Sequence, residues 1–199
     1  MAYKHVKRLI DFTGASVLSI LLLPMLAVTA LAVKIDSKGP VLFKQDRLGY
    51  KGKVFRILKF RSMVVGAEKQ GTGVYSYKGD NRITKVGRFI RAISLDELPQ
   101  LFNILKGEMS FIGPRPALTY HPWTLDKYDK EQIRMFDVLP GITGWAQVHG
   151  RKEVPWPERI KLNVEYVDNM SFGLDMKIFF STLLKVLTNE NNNNVSKTN

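Results

Sequence analysis

Residues 12–33 carry no charge over 22 positions, and Pro24 stands just past the middle of that run. At about 1.5 Å per helical residue the run is long enough for a bilayer core of roughly 30 Å. Pro24 opposes a straight crossing. It removes the hydrogen bond to the Ile20 carbonyl and its ring clashes with the preceding turn, so a helix kinks or breaks there. The flanks matter as much: Lys4, Lys7 and Arg8 precede the run, and Lys34, Lys38 and Lys44 follow it. A spanning helix biases lysine and arginine to the cytoplasmic side, and two basic flanks leave no outside. A re-entrant helix-break-helix over residues 1–36 resolves the conflict, because both flanks then lie on the cytoplasmic face. It requires that the broken backbone near Pro24 find partners. A plain span is one competing reading. A cleaved signal peptide ending near Ala30-Leu31-Ala32 is another, although the apolar stretch exceeds the roughly 7–15 residues usual there.

The 199 residues leave one domain beyond this segment, long enough to bury a sizeable core. Without cysteine the chain has neither disulfides nor thiolate metal sites, which suits a cytoplasmic face. A net charge of +12 calls for anionic partners. The basic residues are spread along the chain, and no zinc-finger or RNA-recognition signature is present. Lipid headgroups and phosphorylated substrates are therefore expected rather than nucleic acid.

Val41-Leu42-Phe43 and residues 54–60 flank Arg47-Leu48-Gly49-Tyr50-Lys51-Gly52 and predict a β-hairpin with a long loop. Extended backbone over 54–62 sends Lys59 and Arg61 to one face. The ordinary fate of such residues is a solvated strand end. Gly66, Gly71, Gly73 and Gly79 predict a mobile surface loop over 65–81.

Over 94–107, Leu98, Leu101, Phe102 and Leu105 fall on one helical face and Gly107 supplies a stop. Ser94 with Glu97 matches a capping box, in which case Asp96 and Glu97 merely decorate a helix start. Pro99 argues against that register, since its amide would be needed; a cap at Leu95 or Asp96 puts Pro99 in the first turn. The carboxylates then lie at the helix mouth, where backbone amides favour anions. Adjacent helical residues do not face one another, so separate duties are expected of them. Gly113-Pro114-Arg115-Pro116 holds an arginine between two rigid residues, which lowers the cost of presenting a guanidinium to a phosphate. Pro140-Gly141-Ile142-Thr143-Gly144-Trp145-Ala146-Gln147-Val148-His149-Gly150-Arg151 joins turn residues, an aromatic and a second arginine. Taken singly, these pieces default to structural turns, and His149 to a hydrogen-bonded loop residue.

In their order, these motifs resemble the bacterial sugar transferases, the small monotopic phosphoglycosyl transferases that act on a polyprenol carrier. Lys7-Arg8-Leu9-Ile10-Asp11, Phe43-Lys44-Gln45 with Arg47 and Gly49, and Lys59-Phe60-Arg61-Ser62-Met63 carry the first part of the resemblance. Leu95-Asp96-Glu97-Leu98-Pro99-Gln100-Leu101, Lys106-Gly107-Glu108-Met109-Ser110-Phe111-Ile112 leading into Gly113-Pro114-Arg115-Pro116, and the 140–151 block complete it. It covers residues 4–188, and the length suits a minimal catalytic unit. Family hairpins often carry serine before the proline. Leu23 stands there in this chain, so Ser19 or Thr29 is expected to satisfy the freed backbone.

The resemblance implies that Asp96 attacks the sugar-linked phosphate of a nucleotide-diphosphate sugar, the expected donors being UDP-N-acetylhexosamines or modified relatives. An aspartyl phosphosugar forms, a nucleoside monophosphate leaves, and undecaprenyl phosphate then accepts the sugar phosphate, the first membrane step of a surface glycan. Mg2+ held partly by Glu97, with Lys59, Arg88, Arg115 and Arg151 on the phosphates, is expected to neutralise the charge. The expected fold is mainly α with a short β-hairpin: the 1–36 membrane hairpin, a 37–188 catalytic domain at the cytoplasmic face of the bacterial cell membrane, and a disordered 189–199 tail. Met176, Phe179, Phe180, Leu183, Leu184 and Leu187 predict an amphipathic interfacial helix with Lys177, Ser181 and Lys185 opposite, the lysines snorkelling. A core helix fits the same periodicity. A homo-oligomer is left open, and two other classes remain: a membrane-anchored basic binding protein without activity, and an anchored nucleic-acid protein.

Overall fold

Two helices, α1 (Ala2–Leu21) and α2 (Leu23–Asp36), carry the N-terminal run and meet at a 65° bend. The computed structural model describes residues 2–77, 79–150 and 154–188; the expected 189–199 tail lies outside them. Among the described residues no single helix is long and apolar enough to cross a membrane, whereas the bent pair qualifies by length and composition. Pro24 falls in the first turn of α2, where its missing amide is one that no intrahelical bond uses. Leu22 still donates to the Leu18 carbonyl (2.9 Å) and Leu26 to that of Leu22 (2.8 Å). The expected rescue by Ser19 or Thr29 does not occur. Thr29 Oγ1 donates to its own helix at Met25 (2.8 Å), and the buried Ser19 hydroxyl finds no partner among the described residues.

One side of this hairpin is docked. Asp11, Ala15, Leu26, Thr29 and Val33 are buried, with α1 lying along α4 (Gln100–Lys106) and α2 along α3 (Lys85–Ala92). Polar contacts fasten the ends. Arg8 donates to the Ile104 (2.6 Å) and Leu105 (3.1 Å) carbonyls at the C-terminal end of α4, where the Ile104 oxygen also accepts from the Gly107 amide (2.9 Å). Asp11 accepts from the Phe111 amide and Asp36 from the Val86 amide, each at 3.0 Å. Arg61 is no solvated strand end. It is 4 % exposed and donates to the carbonyls of Val33, Ser37 and Lys38, closing the C-terminal end of α2. The other side is uncovered, with Ile20, Leu21, Val28, Leu31 and Ile35 all 61–77 % exposed. Such apolar surface exceeds the scattered exposure usual in soluble domains.

Strands β1 (Leu42–Leu48) and β2 (Val54–Phe60) form the expected antiparallel hairpin, with Phe43 opposite Lys59. β1 extends through Arg47 and Leu48, which the sequence placed in the turn. Leu48 is drawn inward to pack with Ala117, Met135 and Phe136, and its amide donates to the Ala117 carbonyl (2.9 Å). A second, parallel pair joins β3 (Ser110–Ile112) to β4 (Gly141–Thr143). There Gly113, Gly141 and Gly144 touch. A Cβ on Gly141 would lie 2.1 Å from the Gly113 nitrogen, and one on Gly144 2.0 Å from the Gly113 oxygen. The turn-like 140–148 stretch is therefore a buttress for the segment that carries Arg115, ending in the short helix α5 (Trp145–Val148).

The described part of the 65–81 stretch is organised rather than loose. Arg82, 8 % exposed, gathers the carbonyls of Ala67, Gln70, Gly73 and Tyr75 together with Thr72 Oγ1 and Asp80. At the C-terminus, α6 (Trp156–Asn169) leads into α7 (Phe172–Leu187). The expected stripe on α7 faces outward, with Phe179, Phe180, Leu183 and Leu184 exposed; the Leu187 side chain lies outside the described set. Lys185 donates to the Val148 carbonyl (2.6 Å), Lys177 stands 5.0 Å from the Trp145 ring centroid, and Thr182 bonds Thr143 (2.8 Å). The side read as polar is the side that packs on the domain, around the fully buried Ile178.

Candidate functional site

Asn103 builds the site without belonging to it. Fully buried in α4, it accepts from the Leu58 amide (3.0 Å) and donates to the Arg56 carbonyl (2.8 Å) and Glu108 (2.7 Å). α4 is thereby pinned to β2, and the residues leading into α4 are brought beside Lys59. Those residues form a 3-10 turn, Leu95–Glu97, with Pro99 as the cap of α4. The carboxylates thus sit in the turn before the helix mouth rather than inside its first turn. The capping box is absent: Ser94 adopts φ +59°, a left-handed conformation that swings its hydroxyl out of register. Gly107 at φ +82° is the expected stop.

Glu97 Oε1 accepts from Lys59 Nζ at 2.6 Å and from Arg115 Nη2 at 3.0 Å. Exposure rises across the three side chains, from 16 % for Lys59 through 22 % for Glu97 to 46 % for Arg115. Burial alone would push the Glu97 carboxyl up, but Lys59 and Arg115 outweigh it and hold it well below the usual carboxylate range. Asp96 behaves oppositely. Burial, aided by the charge of Glu97, pushes it up against the pull of Lys59, Arg91 and Arg115. Its carboxylate takes no hydrogen bond among the described residues. Burial also lowers Lys59, with Glu97 opposing. The turn therefore holds two unlike carboxylates: one locked between cations, the other half-buried and free to react.

Lys59, Asp96, Glu97 and Arg115 are brought together. Arg88 is not: it lies exposed on α3, and among the described residues its side chain makes no hydrogen bond to this group. Arg91, at the end of α3 nearest the turn, is the α3 arginine whose charge acts on Asp96, and it donates to Ser76 Oγ (2.8 Å). Its place just upstream of Ser94 was the available signal. Arg47 and Arg159 also act on Arg115 electrostatically and were missed as site residues. Arg151 lies outside the described residues. His149 Nδ1 bonds the Trp145 carbonyl (2.8 Å), as a loop histidine should. No group of three or more His, Cys, Asp or Glu side chains converges as a metal site among the described residues.

The bacterial sugar transferase family model matches residues 2–189. The uncharacterized sugar transferase EpsL of Bacillus subtilis (strain 168) is 44% identical over 184 residues, 92% of this chain and 88% of that protein. The undecaprenyl-phosphate glucose phosphotransferase of Komagataeibacter xylinus is 41% identical over 93% of this chain, which spans 36% of that protein. The UDP-N-acetylgalactosamine-undecaprenyl-phosphate N-acetylgalactosaminephosphotransferase of Aeromonas hydrophila is 42% identical over 94% of this chain, which spans 44% of it.

Proposed function

The chain belongs to the bacterial sugar transferase family, and from that premise we propose that it moves a sugar-1-phosphate from a nucleotide-diphosphate sugar to undecaprenyl phosphate. One observation carries the reading: a carboxylate, Asp96, that takes no hydrogen bond among the described residues, beside a carboxylate that two cations hold ionised. An Asp96 oxygen attacks the sugar-linked phosphorus and the bond to the nucleoside's phosphate breaks, its electron pair leaving with the nucleoside monophosphate. An oxygen of undecaprenyl phosphate then attacks the same phosphorus, and the Asp96 carboxylate is released. Two anions approach each other in both steps, so positive charge is the first requirement. Lys59 and Arg115, both on Glu97 Oε1, meet it, with the charges of Arg47 and Arg91 nearby.

Magnesium fits as an ion shared with the substrate, since it accepts one or two carboxylates plus phosphate oxygens and the residues offer no closed cage. Glu97 would hold it through Oε2, which no described residue engages, and the ion would supply further positive charge to the diphosphate. The carrier keeps its phosphate at the headgroup layer. The uncovered side of the α1–α2 hairpin and the outward stripe of α7 are apolar surfaces suited to holding the site there, on the cytoplasmic face. The donor is assigned as a UDP-N-acetylhexosamine or a modified relative; the names of the relatives add glucose as the alternative. A donor panel with undecaprenyl phosphate, read by nucleoside monophosphate release, tests all of this. Asp96→Asn should lower release at least about 10³-fold and leave no phosphosugar adduct on the protein by mass spectrometry. Wild-type release from Asp96→Asn overturns the mechanism, and silence across the panel favours a binding protein.

A further inference from the structure

Arg47 belongs to a motif that enters the chemistry above only through its charge. Its position is peculiar. In β1 it pairs with Phe55 on one side and bridges to Leu118 on the other, while Nη1 donates to the Pro116 carbonyl at 3.0 Å. Main chain and side chain together grip the residues that follow Arg115. On the preceding side, the Gly113 amide donates to Thr143 and the Gly141 amide to the Pro114 carbonyl, both at 2.9 Å. Arg115 is thus held from both directions. Nη2 of Arg47 donates to Gln45 Oε1, whose own amide donates to Glu68 in the clasped loop.

Arg47 is held there at a cost: its buried Nε meets no acceptor among the described residues, as is also true of Arg61, and burial together with Arg115 brings Arg47 down to about 10. Placing a second guanidinium there works against stability. With both terminal nitrogens donating to neighbours and Nε sealed from solvent, Arg47 acts on the site through what it holds.

We propose that Arg47 is a positioning residue that clamps the Arg115 segment over Glu97 and ties the Glu68 end of the loop to it through Gln45. The kinetic part rests on the transferase reading; the structural part does not. Arg47→Lys keeps the charge and loses the fork that grips Pro116 and Gln45 together. It should raise KM for the donor about 5–10-fold, and by less than about 2-fold once Arg115 is already changed to Lys, because contacts acting in one unit are not additive. Hydrogen exchange of full-length protein in lipid nanodiscs gives a readout without substrate. Arg47→Lys should speed exchange in residues 113–120 and 66–75 and leave the β1–β2 amides as in wild type. Unchanged exchange in 113–120, or an equal KM penalty in both backgrounds, overturns the proposal. If wild type releases no nucleoside monophosphate from any donor, the transferase reading falls and the exchange result alone decides the role of Arg47.

Discussion

The loop around Arg82 and the turn around Glu97 are both built on arginine, and they use it in contrary ways. Arg82 has an acceptor for each nitrogen: Asp80 for Nε, three loop carbonyls for Nη1, and Thr72, Tyr75 and Asp80 for Nη2. Among the described residues Arg115 bonds Glu97 alone, and it stands 46 % exposed. Satisfied donors organise a chain, and spare donors at a solvent edge are available to a ligand. The carboxylates divide similarly. Asp80 is drawn below its usual range by the hydrogen bond from Arg82, whereas Asp96 is pushed above its own by burial. One region gains stability from its charges, and the other gives some up.

The contrast is broken most directly by matched substitutions. Arg115→Lys should lower kcat/KM about 10–100-fold, since the planar fork is lost, and leave the thermal midpoint within about a degree of wild type. Arg82→Lys should do the reverse: the midpoint falls by several degrees while turnover per folded molecule holds. If both variants lose only stability, Arg115 is a second structural arginine.

The pH dependence separates the two carboxylates next. Asp96 must be ionised to attack, so kcat/KM should fall as pH drops through its raised value. Glu97→Gln removes one cause of that rise and should move the acid limb to lower pH. The stability signs oppose each other. Asp96 has a raised folded value, so its ionisation costs stability above it, and Asp96→Asn should be no less stable than wild type at neutral pH. Glu97 has a depressed folded value. Its contribution is full above the unfolded value of about 4.3 and is lost as pH falls through the folded one, so Glu97→Gln should destabilise at neutral pH. Denaturant titrations of both variants check the pair of signs. The smallest effect concerns Ser94: glycine accepts φ +59° without penalty, so Ser94→Gly should raise stability by up to about 1 kcal/mol.

Much of this was legible because it depends on local rules. Pro24 is excluded from a helix interior and tolerated in a first turn, Gly107 stops a helix, and alternation in 54–60 makes a strand. What escaped were facts about partners distant in sequence. Glycines in 65–81 predict looseness only while the side chain of Arg82 is ignored, and a carbonyl-gathering arginine has no pattern of its own. Periodicity showed which residues of α7 share a face but not which face meets the protein, since Lys177 and Lys185 found an aromatic ring and a carbonyl there. In α3, Arg88 and Arg91 are three residues apart and alike in sequence. Only the Ser94 turn that follows decides that Arg91 is the one near Asp96.

Arg61 and Lys59 lie two residues apart, about 7 Å along extended chain. One grips the last carbonyls of α2 and the other grips Glu97. In mechanical terms they are the two ends of a short rigid lever. A load applied to the hairpin, by thickness or curvature of whatever surrounds it, reaches the Glu97 turn with little slack between. The molecule should therefore respond by tilting as one piece, keeping the height of its cations above the hairpin constant.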